Sequence, residues 1–204
     1  GDFMRPNRVV VGAETARAQD VLRALYRPLY LLETPILVTS LEKSELIKYA
    51  SNAFLAVKIS YINQMADLCE KVGADVHDVA RGMGLDQRIG NKFLHPGPGY
   101  GGSCFPKDTR ALIHSAEIKG VELKVVKAAA DANEAQIDVI IKKLERLAGG
   151  SLKGKRVAVM GLSFKANTDD IRESRAVAMV DYLLSREAEV AVYDPAAMSN
   201  MKLL

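Results

Sequence analysis

Cys104 stands in the run Gly97-Pro-Gly-Tyr-Gly-Gly-Ser-Cys-Phe-Pro-Lys-Asp108, which places four glycines between positions 97 and 102. Glycine lets backbone amides approach a ligand at distances a side chain would block. The thiol lies just before Pro106, a residue that opens helices readily, so the spacing puts Cys104 at a helix N-terminus, where the dipole favours a thiolate. Lys107 adds a positive charge and Asp108 a carboxylate. A lone cysteine is more often a small buried hydrophobe. The glycines, Lys107 and Asp108 together make this one a candidate nucleophile instead.

A second candidate pair lies upstream. Lys48 and Asn52 are four residues apart in a helical pattern and therefore project from one face, where a cation beside an amide donor suits an oxyanion. The same spacing also describes an ordinary solvated face. Arg88, in Asp-Gln-Arg-Ile-Gly, is either a phosphate or sugar ligand or the ion-pair partner of a neighbouring acid. His95 has no nucleophile to serve, and His77 and His114 fall on exposed helical faces. Cys69 follows Met65 and Leu68 and reads as core. Lys165 and Arg172 lie between a strand end and a helix start, a plausible phosphate site. No complete G-x-G-x-x-G fingerprint and no metal-ligand spacing occurs.

Three kinds of element must position these groups. Arg8 to Gly12, Glu14 to Leu25 and Pro35 to Ser40 read as strand, helix and strand, the tail of an α/β domain. From Leu41 apolar residues recur at helical spacing with neither proline nor glycine until Gly73, which predicts one long helix. Roughly 30 residues of helix span about 45 Å, more than a small domain is wide, so part of its apolar face is expected to meet a second copy of the chain. Asp75 caps a short helix ending near Gly82 and Gly84. Residues 86–107 read as a functional loop. Pro106 opens a helix to Ile118, and Leu123 to Leu147 forms another. After a Gly149–Gly154 linker, Arg156 to Gly161, a helix over Glu173 to Ser185, and Glu189 to Tyr193 make the opening βαβ unit of a Rossmann-like sheet. Such a unit buries too little to stand alone. Gly1 and the abrupt end at Met198 to Leu204 read as cuts in a longer protein. The fold class is thus mixed α and α/β, a mainly helical centre flanked by the tail of one Rossmann-like domain and the opening of another.

Bulk properties exclude several classes. The chain has 204 residues, is 49% hydrophobic and carries a formal charge of +3. That balance argues against nucleic-acid and anionic-membrane partners. No apolar run reaches the ~18 residues a membrane helix needs. Two cysteines in unrelated contexts suit a reducing, cytoplasmic compartment better than a disulfide framework.

Three blocks resemble the UDP-glucose/GDP-mannose dehydrogenase family: Glu45 to Asn52, Arg88-Ile-Gly through Asp108, and Gly161-Leu-Ser-Phe-Lys through Ser174. The resemblance covers essentially the whole chain. It implies that residues 1–40 end an N-terminal NAD-binding Rossmann domain, 41–148 form the helical central domain that makes a homodimer, and 152–204 begin a C-terminal UDP-binding domain. The implied activity oxidises the primary alcohol of a UDP-sugar to a carboxylate with NAD as cofactor. Cys104 would pass through a thiohemiacetal and a thioester. Lys48 and Asn52 would stabilise the oxyanion, and Asp108 would orient water or assist proton transfer. The resemblance further implies Phe93, Leu94, His95, Pro96, Gly97, Gly101 and Lys165 around the sugar nucleotide, Arg88 at the partner subunit's substrate, and Lys107 and Arg172 near NAD. GDP-mannose and UDP-N-acetylmannosamine are the rival substrates, and a non-catalytic dimerisation module is the rival class.

Overall fold

The computed structural model describes residues 5–30 and 34–202. The outer ends of the expected first and third domains, residues 1–4 and 203–204, lie outside the described residues. The chain divides into two compact units, Gly1–Ser51 and Asn52–Leu204.

In the first unit, β1 (Val9–Gly12) and β2 (Ile36–Thr39) pair in parallel, Val9 beside Ile36 and Gly12 beside Thr39, joined by helix α1 (Ala16–Tyr30). This is the expected strand, helix and strand. The helix runs past Leu25 to Tyr30 although it contains Pro28, whose missing N–H forgoes one bond to the carbonyl four residues earlier. Helix α2 (Leu41–Val72) begins in this unit and continues into the next. Its 32 residues contain no helix breaker, and it stops at Gly73.

The second unit continues with α3 (Val76–Gly84), α4 (Phe105–Ile118), α5 (Lys124–Leu147), β3 (Arg156–Met160), α6 (Arg175–Ser185), β4 (Glu189–Tyr193) and the short α7 (Met198–Met201). Asp75 caps α3 by accepting from His77 N–H, and Ser174 caps α6 by accepting from Ala176 N–H. Each cap satisfies one of the amides a helix start leaves unpaired. Strands β3 and β4 pair in parallel from Arg156–Glu189 to Met160–Tyr193.

Packing follows the apolar stripes. Ile137 and Ile141 of α5 pack with Leu152, Leu183 of α6 and Ala188, joined by Val157, Val159 and Val190 from one face of the sheet. Leu162, Val180 and Ala197 make a second cluster at the strand ends. Ile62 of α2, Ala80 of α3 and Leu94 of the long loop make a third. Fully burying one such side chain stabilises the fold by about 1.5–3 kcal/mol. Cys69 is buried, as expected, while His77 and His114 are exposed. Lys143 bridges from α5 to Asp67 and Glu70 of α2 at 2.8 and 2.6 Å. On another face of α2, Phe54, Tyr61 and Leu68 stand exposed at 65%, 45% and 53%, at the seven-residue interval of a coiled-coil seam. Among the described residues no helix is long and apolar enough to cross a membrane, and no cluster of metal-ligating side chains occurs.

Candidate active site

Helix α4 is organised around its first turn. Cys104 occupies the N-cap position with its thiol exposed, and its carbonyl accepts from Asp108 N–H at 2.8 Å. Pro106 sits in the first turn, where its missing N–H leaves no intrahelical bond unmade. Asp108 is completely buried. Its carboxylate accepts from Asn52 Nδ2 at 2.7 Å and from Lys107 Nζ at 2.8 Å, and a carboxylate in a first turn also faces the positive end of the helix dipole. A buried carboxylate needs this satisfaction, because an unpaired one costs several kcal/mol or more. One N–H of Asn52 is therefore committed to Asp108. Lys48 stands one helical turn before Asn52 on α2, exposed, with its ammonium 4.9 Å from the Tyr49 ring centre.

The loop leading to Cys104 is held from outside. Gly97 N–H donates to Asn63 Oδ1 at 2.8 Å, and Gly97 O accepts from Gln136 Nε2 at 3.0 Å. Tyr100 N–H donates to Asn133 Oδ1 at 2.7 Å, and Tyr100 O accepts from Asn133 Nδ2 at 3.1 Å and from Arg175 Nε at 3.0 Å. These carboxamides are buried, so they act on the loop as a neighbouring strand would. Asn63 Nδ2 is buried without a hydrogen-bond partner, which costs about 1–3 kcal/mol. The position keeps an amide all the same, for Gly97. Three glycines of this loop are required by close approach, Gly102 among them, where a Cβ at φ +83° would lie 2.5 Å from the Phe164 ring. A Cβ on Gly99, at φ +104°, would lie 2.6 Å from Asn133 Oδ1, and one on Gly101 would collide with the Glu173 carbonyl. Arg110 secures that neighbour through a two-pronged pair with Glu173 at 2.6 and 3.2 Å.

Two cavities flank the loop. One of about 500 Å³ is lined by Phe93, His95, Gly97, Gly101, Phe105 and Lys165, among others. Phe93 and Tyr100 each meet the Phe105 ring edge-on at 6.0 Å, a favoured aromatic arrangement. The other, about 930 Å³, opens at the ends of β3 and β4, with Gly99, Gly101, Lys165, Arg175 and Asp194 in its wall. Both volumes are of ligand-binding size.

The expected site residues are thus placed unevenly. Asn52, Lys107 and Asp108 come together at the start of α4, and Phe93, His95, Gly97, Gly101 and Lys165 share one cavity wall. Leu94 directs its side chain into the core with Ile62 and Ala80. Pro96, half-buried beside it, is not among the lining residues of either cavity. Arg88 is paired: Asp86 takes Nε at 3.0 Å and Nη2 at 2.6 Å, leaving the side chain 89% exposed. Arg172 is held in the same way by Asp170, at 2.9 Å through Nε. That hydrogen bond holds the guanidinium above its usual pKa, with the nearby Cys104 sulfur adding to the effect, and draws the Asp170 carboxyl down to about 2.

Asp194, at the end of β4, is where many βαβ units place an acid that reaches outward for a ribose hydroxyl. Here it turns inward. It accepts from the amides of Leu162, Ser163, Ala196 and Ala197 at 2.7–3.1 Å, and these bonds hold its carboxyl far below the usual range. Sequence reasoning missed Asn63, Asn133, Gln136 and Arg175. The one available signal was a carboxamide beside an isoleucine on each apolar helix stripe, at Ile62-Asn63 and Gln136-Ile137.

Residues 42–135 match the central domain, and residues 158–204 the UDP binding domain, of the UDP-glucose/GDP-mannose dehydrogenase family. A helical centre with two small parallel sheets defines a mixed α and α/β chain. The chain belongs to the UDP-glucose/GDP-mannose dehydrogenase family. It is 52% identical over 205 residues to UDP-glucose 6-dehydrogenase of Rhizobium meliloti (strain 1021), an alignment covering 100% of this chain and 47% of the relative. Among solved structures, a UDP-glucose dehydrogenase from Pyrobaculum islandicum superimposes with a TM-score of 0.94 at 43% identity, over 100% of this chain and 46% of that one. The UDP-D-ManNAc dehydrogenase of Pyrococcus horikoshii gives 0.81 at 27% identity, over 95% of this chain and 45% of the other. The chain spans about half the length of the relatives it matches.

Proposed function

We propose that this chain is part of an NAD-dependent dehydrogenase that converts UDP-glucose to UDP-glucuronate in two successive oxidations. The observation that carries the reading is the exposed Cys104 thiol at the start of α4, one turn from the buried Asp108 and its donors Asn52 and Lys107. Likeness to a UDP-glucose enzyme exceeds likeness to a UDP-D-ManNAc enzyme in both identity and superposition, which favours glucose over N-acetylmannosamine.

The chemistry explains the thiol. An aldehyde releases no second hydride until a nucleophile adds to its carbon. Cys104 as thiolate forms the C–S bond of a thiohemiacetal, loss of hydride from that carbon leaves a thioester, and water cleaves the C–S bond to give the carboxylate and return the thiol. Lys48 and Asn52 stabilise the oxyanion at each tetrahedral stage, and one lost donor typically costs about 3 kcal/mol. Asp108, held between Asn52 and Lys107, orients the incoming water or takes its proton. Arg172 lies near the Cys104 sulfur and Lys107 is on the Asp108 carboxylate; these exposed cations fit an anionic cofactor, so they would hold NAD. When bound, NAD⁺ supplies the hydride acceptor. Lys165, Phe93, His95, Pro96, Gly97, Gly101 and the Leu94 backbone surround the UDP-sugar.

In this reading residues 1–40 close the NAD-binding domain, 41–148 form the central domain and 152–204 open the UDP-binding domain. The seam of Phe54, Tyr61 and Leu68 joins two copies as a homodimer, and Arg88 reaches the partner subunit's substrate. A reactive exposed thiol persists in a reducing compartment, hence a cytoplasmic location. The test is a panel of sugar nucleotides on the full-length protein, read as NADH formed per molecule consumed. Two equivalents with UDP-glucose are expected, and none from the isolated chain of 204 residues. One equivalent, or preference for another sugar, overturns the assignment.

A further inference from the structure

We infer that Asn133 and Arg175 are positioning residues for the nucleophile, acting through the backbone of Tyr100. The inference rests on the proposed oxidation only in that Cys104 is taken as the group to be placed. Tyr100 is buried, four residues before Cys104, and its carbonyl is gripped twice, by Asn133 Nδ2 at 3.1 Å and by Arg175 Nε at 3.0 Å. Asn133 takes the Tyr100 N–H as well, at 2.7 Å.

The need for such a grip follows from the loop's composition. Gly99, Gly101 and Gly102 surround Tyr100 and precede the thiol, and glycine gives up more backbone freedom on ordering than any other residue. The glycines on either side of Tyr100 cannot fix the backbone themselves, and packing of the Tyr100 ring on Phe105 does not hold its peptide groups, so their position is imposed by groups anchored elsewhere. Asn133 and Arg175 are so anchored. Helix α5 is fixed by Ile137 and Ile141, and α6 by Val180 and Leu183, in clusters that do not include Tyr100.

Arg175 is itself aimed by the neighbour of Asn133. Glu134 takes Nη1 and Nη2 at 3.0 and 2.8 Å, leaving Nε for the carbonyl, and a planar fork held on one edge has little freedom on the other. One turn of α5 thus supplies both the amide that holds Tyr100 and the carboxylate that orients the second holder. Arg175 also lines the 930 Å³ cavity beside Gly99 and Gly101.

The experiment compares Asn133→Asp, Arg175→Gln and Arg175→Lys in the full-length protein. Asn133→Asp keeps an acceptor for the Tyr100 N–H and sets an oxygen against its carbonyl. Expected is a fall of about 10- to 100-fold in kcat per titratable Cys104, with KM for the sugar nucleotide changed less than about threefold, because misplacement of a reacting group is felt in the chemical step. Arg175→Lys restores part of the loss. Without substrate, the alkylation rate of Cys104 by iodoacetamide departs from wild type by more than about threefold while that of Cys69 holds, since rate follows thiolate fraction and access. Unchanged kcat per thiol together with an unchanged Cys104 alkylation rate overturns the inference. A wild-type protein that oxidises no sugar nucleotide defeats the proposed function instead, and the alkylation comparison then decides alone. Should Asn133→Asp fail to fold, the two Arg175 variants carry the same test.

Discussion

Asn52 of α2 and Asp108 of α4 are 56 residues apart in the chain, yet Asn52 Nδ2 lies 2.7 Å from Asp108 Oδ2. The bond ties the long helix to the turn that bears Cys104. It also fixes the orientation of the amide, because a carboxylate can only accept.

Replacing Asp108 by Asn tests this tie. The new NH₂ group either faces Lys107, donor against donor, or faces Asn52, whose amide must then turn over and withdraw the N–H it presents here; both cost a buried hydrogen bond or the charge-assisted one. A loss of about 1–3 kcal/mol in stability is expected, with turnover down by about 100-fold or more. Urea unfolding and kcat on the full-length protein are the measurements. A variant with wild-type values in both would remove Asp108 from the site.

The two thiols should behave differently. Cys104 is exposed and Cys69 is buried at 6% exposure, so iodoacetamide near neutral pH is expected to label Cys104 at least about tenfold faster. Mass spectrometry of peptides after timed quenching reads the ratio. Equal, slow labelling would point to a structural cysteine at both positions. Cys104→Ala is expected to abolish turnover while leaving the unfolding midpoint close to wild type.

Acid stability carries a signature of the Asp170–Arg172 fork. The folded-state pKa of Asp170, about 2, lies below its ordinary 3.8, so the folded form favours the ionised carboxylate. The resulting stabilisation is fully present above about 4 and is lost as pH falls toward 2. Asp194, depressed further by backbone amides, loses its contribution later in the same descent. Melting temperature followed from pH 5 to 2 is expected to fall less steeply in Asp170→Asn than in wild type. Parallel curves would mean the fork contributes nothing.

The α2 seam predicts an assembly. Phe54→Glu with Leu68→Glu sets like charges across the proposed contact, one above the other along the helix, and is expected to convert the dimer to a monomer in sedimentation equilibrium. Helix content by circular dichroism should hold, because both side chains are already exposed. A double variant that remains dimeric places the contact elsewhere.

Some of this could be read from residues alone and some could not. The span of α2 was legible because helical periodicity runs unbroken from Leu41 to Val72 without a proline or glycine, and the start of α4 because Pro106 announces it. Ser174, at the start of α6, is likewise an ordinary cap. The loop's backbone freedom was legible in its glycines, but its restraint was not. Asn133 and Gln136 meet residues 33 and 39 positions away, and a carboxamide on an amphipathic helix looks the same whether it faces water or a buried loop. Arg88 illustrates the converse. Its local sequence left a ligand and an ion pair equally open, and Asp86, two residues away, settles its resting geometry. The resemblance places Leu94 around the sugar nucleotide, and since its side chain packs with Ile62 and Ala80, a contact there falls to its backbone.

The carboxamides that grip Gly97 and Tyr100 have a consequence for kinetics. Amides neither gain nor lose protons in water, so the scaffold under the sulfur stays indifferent to acidity across the whole range in which a thiol ionises. The rate of the proposed oxidation measured against pH therefore reports the reacting groups themselves, undistorted by a loop melting beneath them.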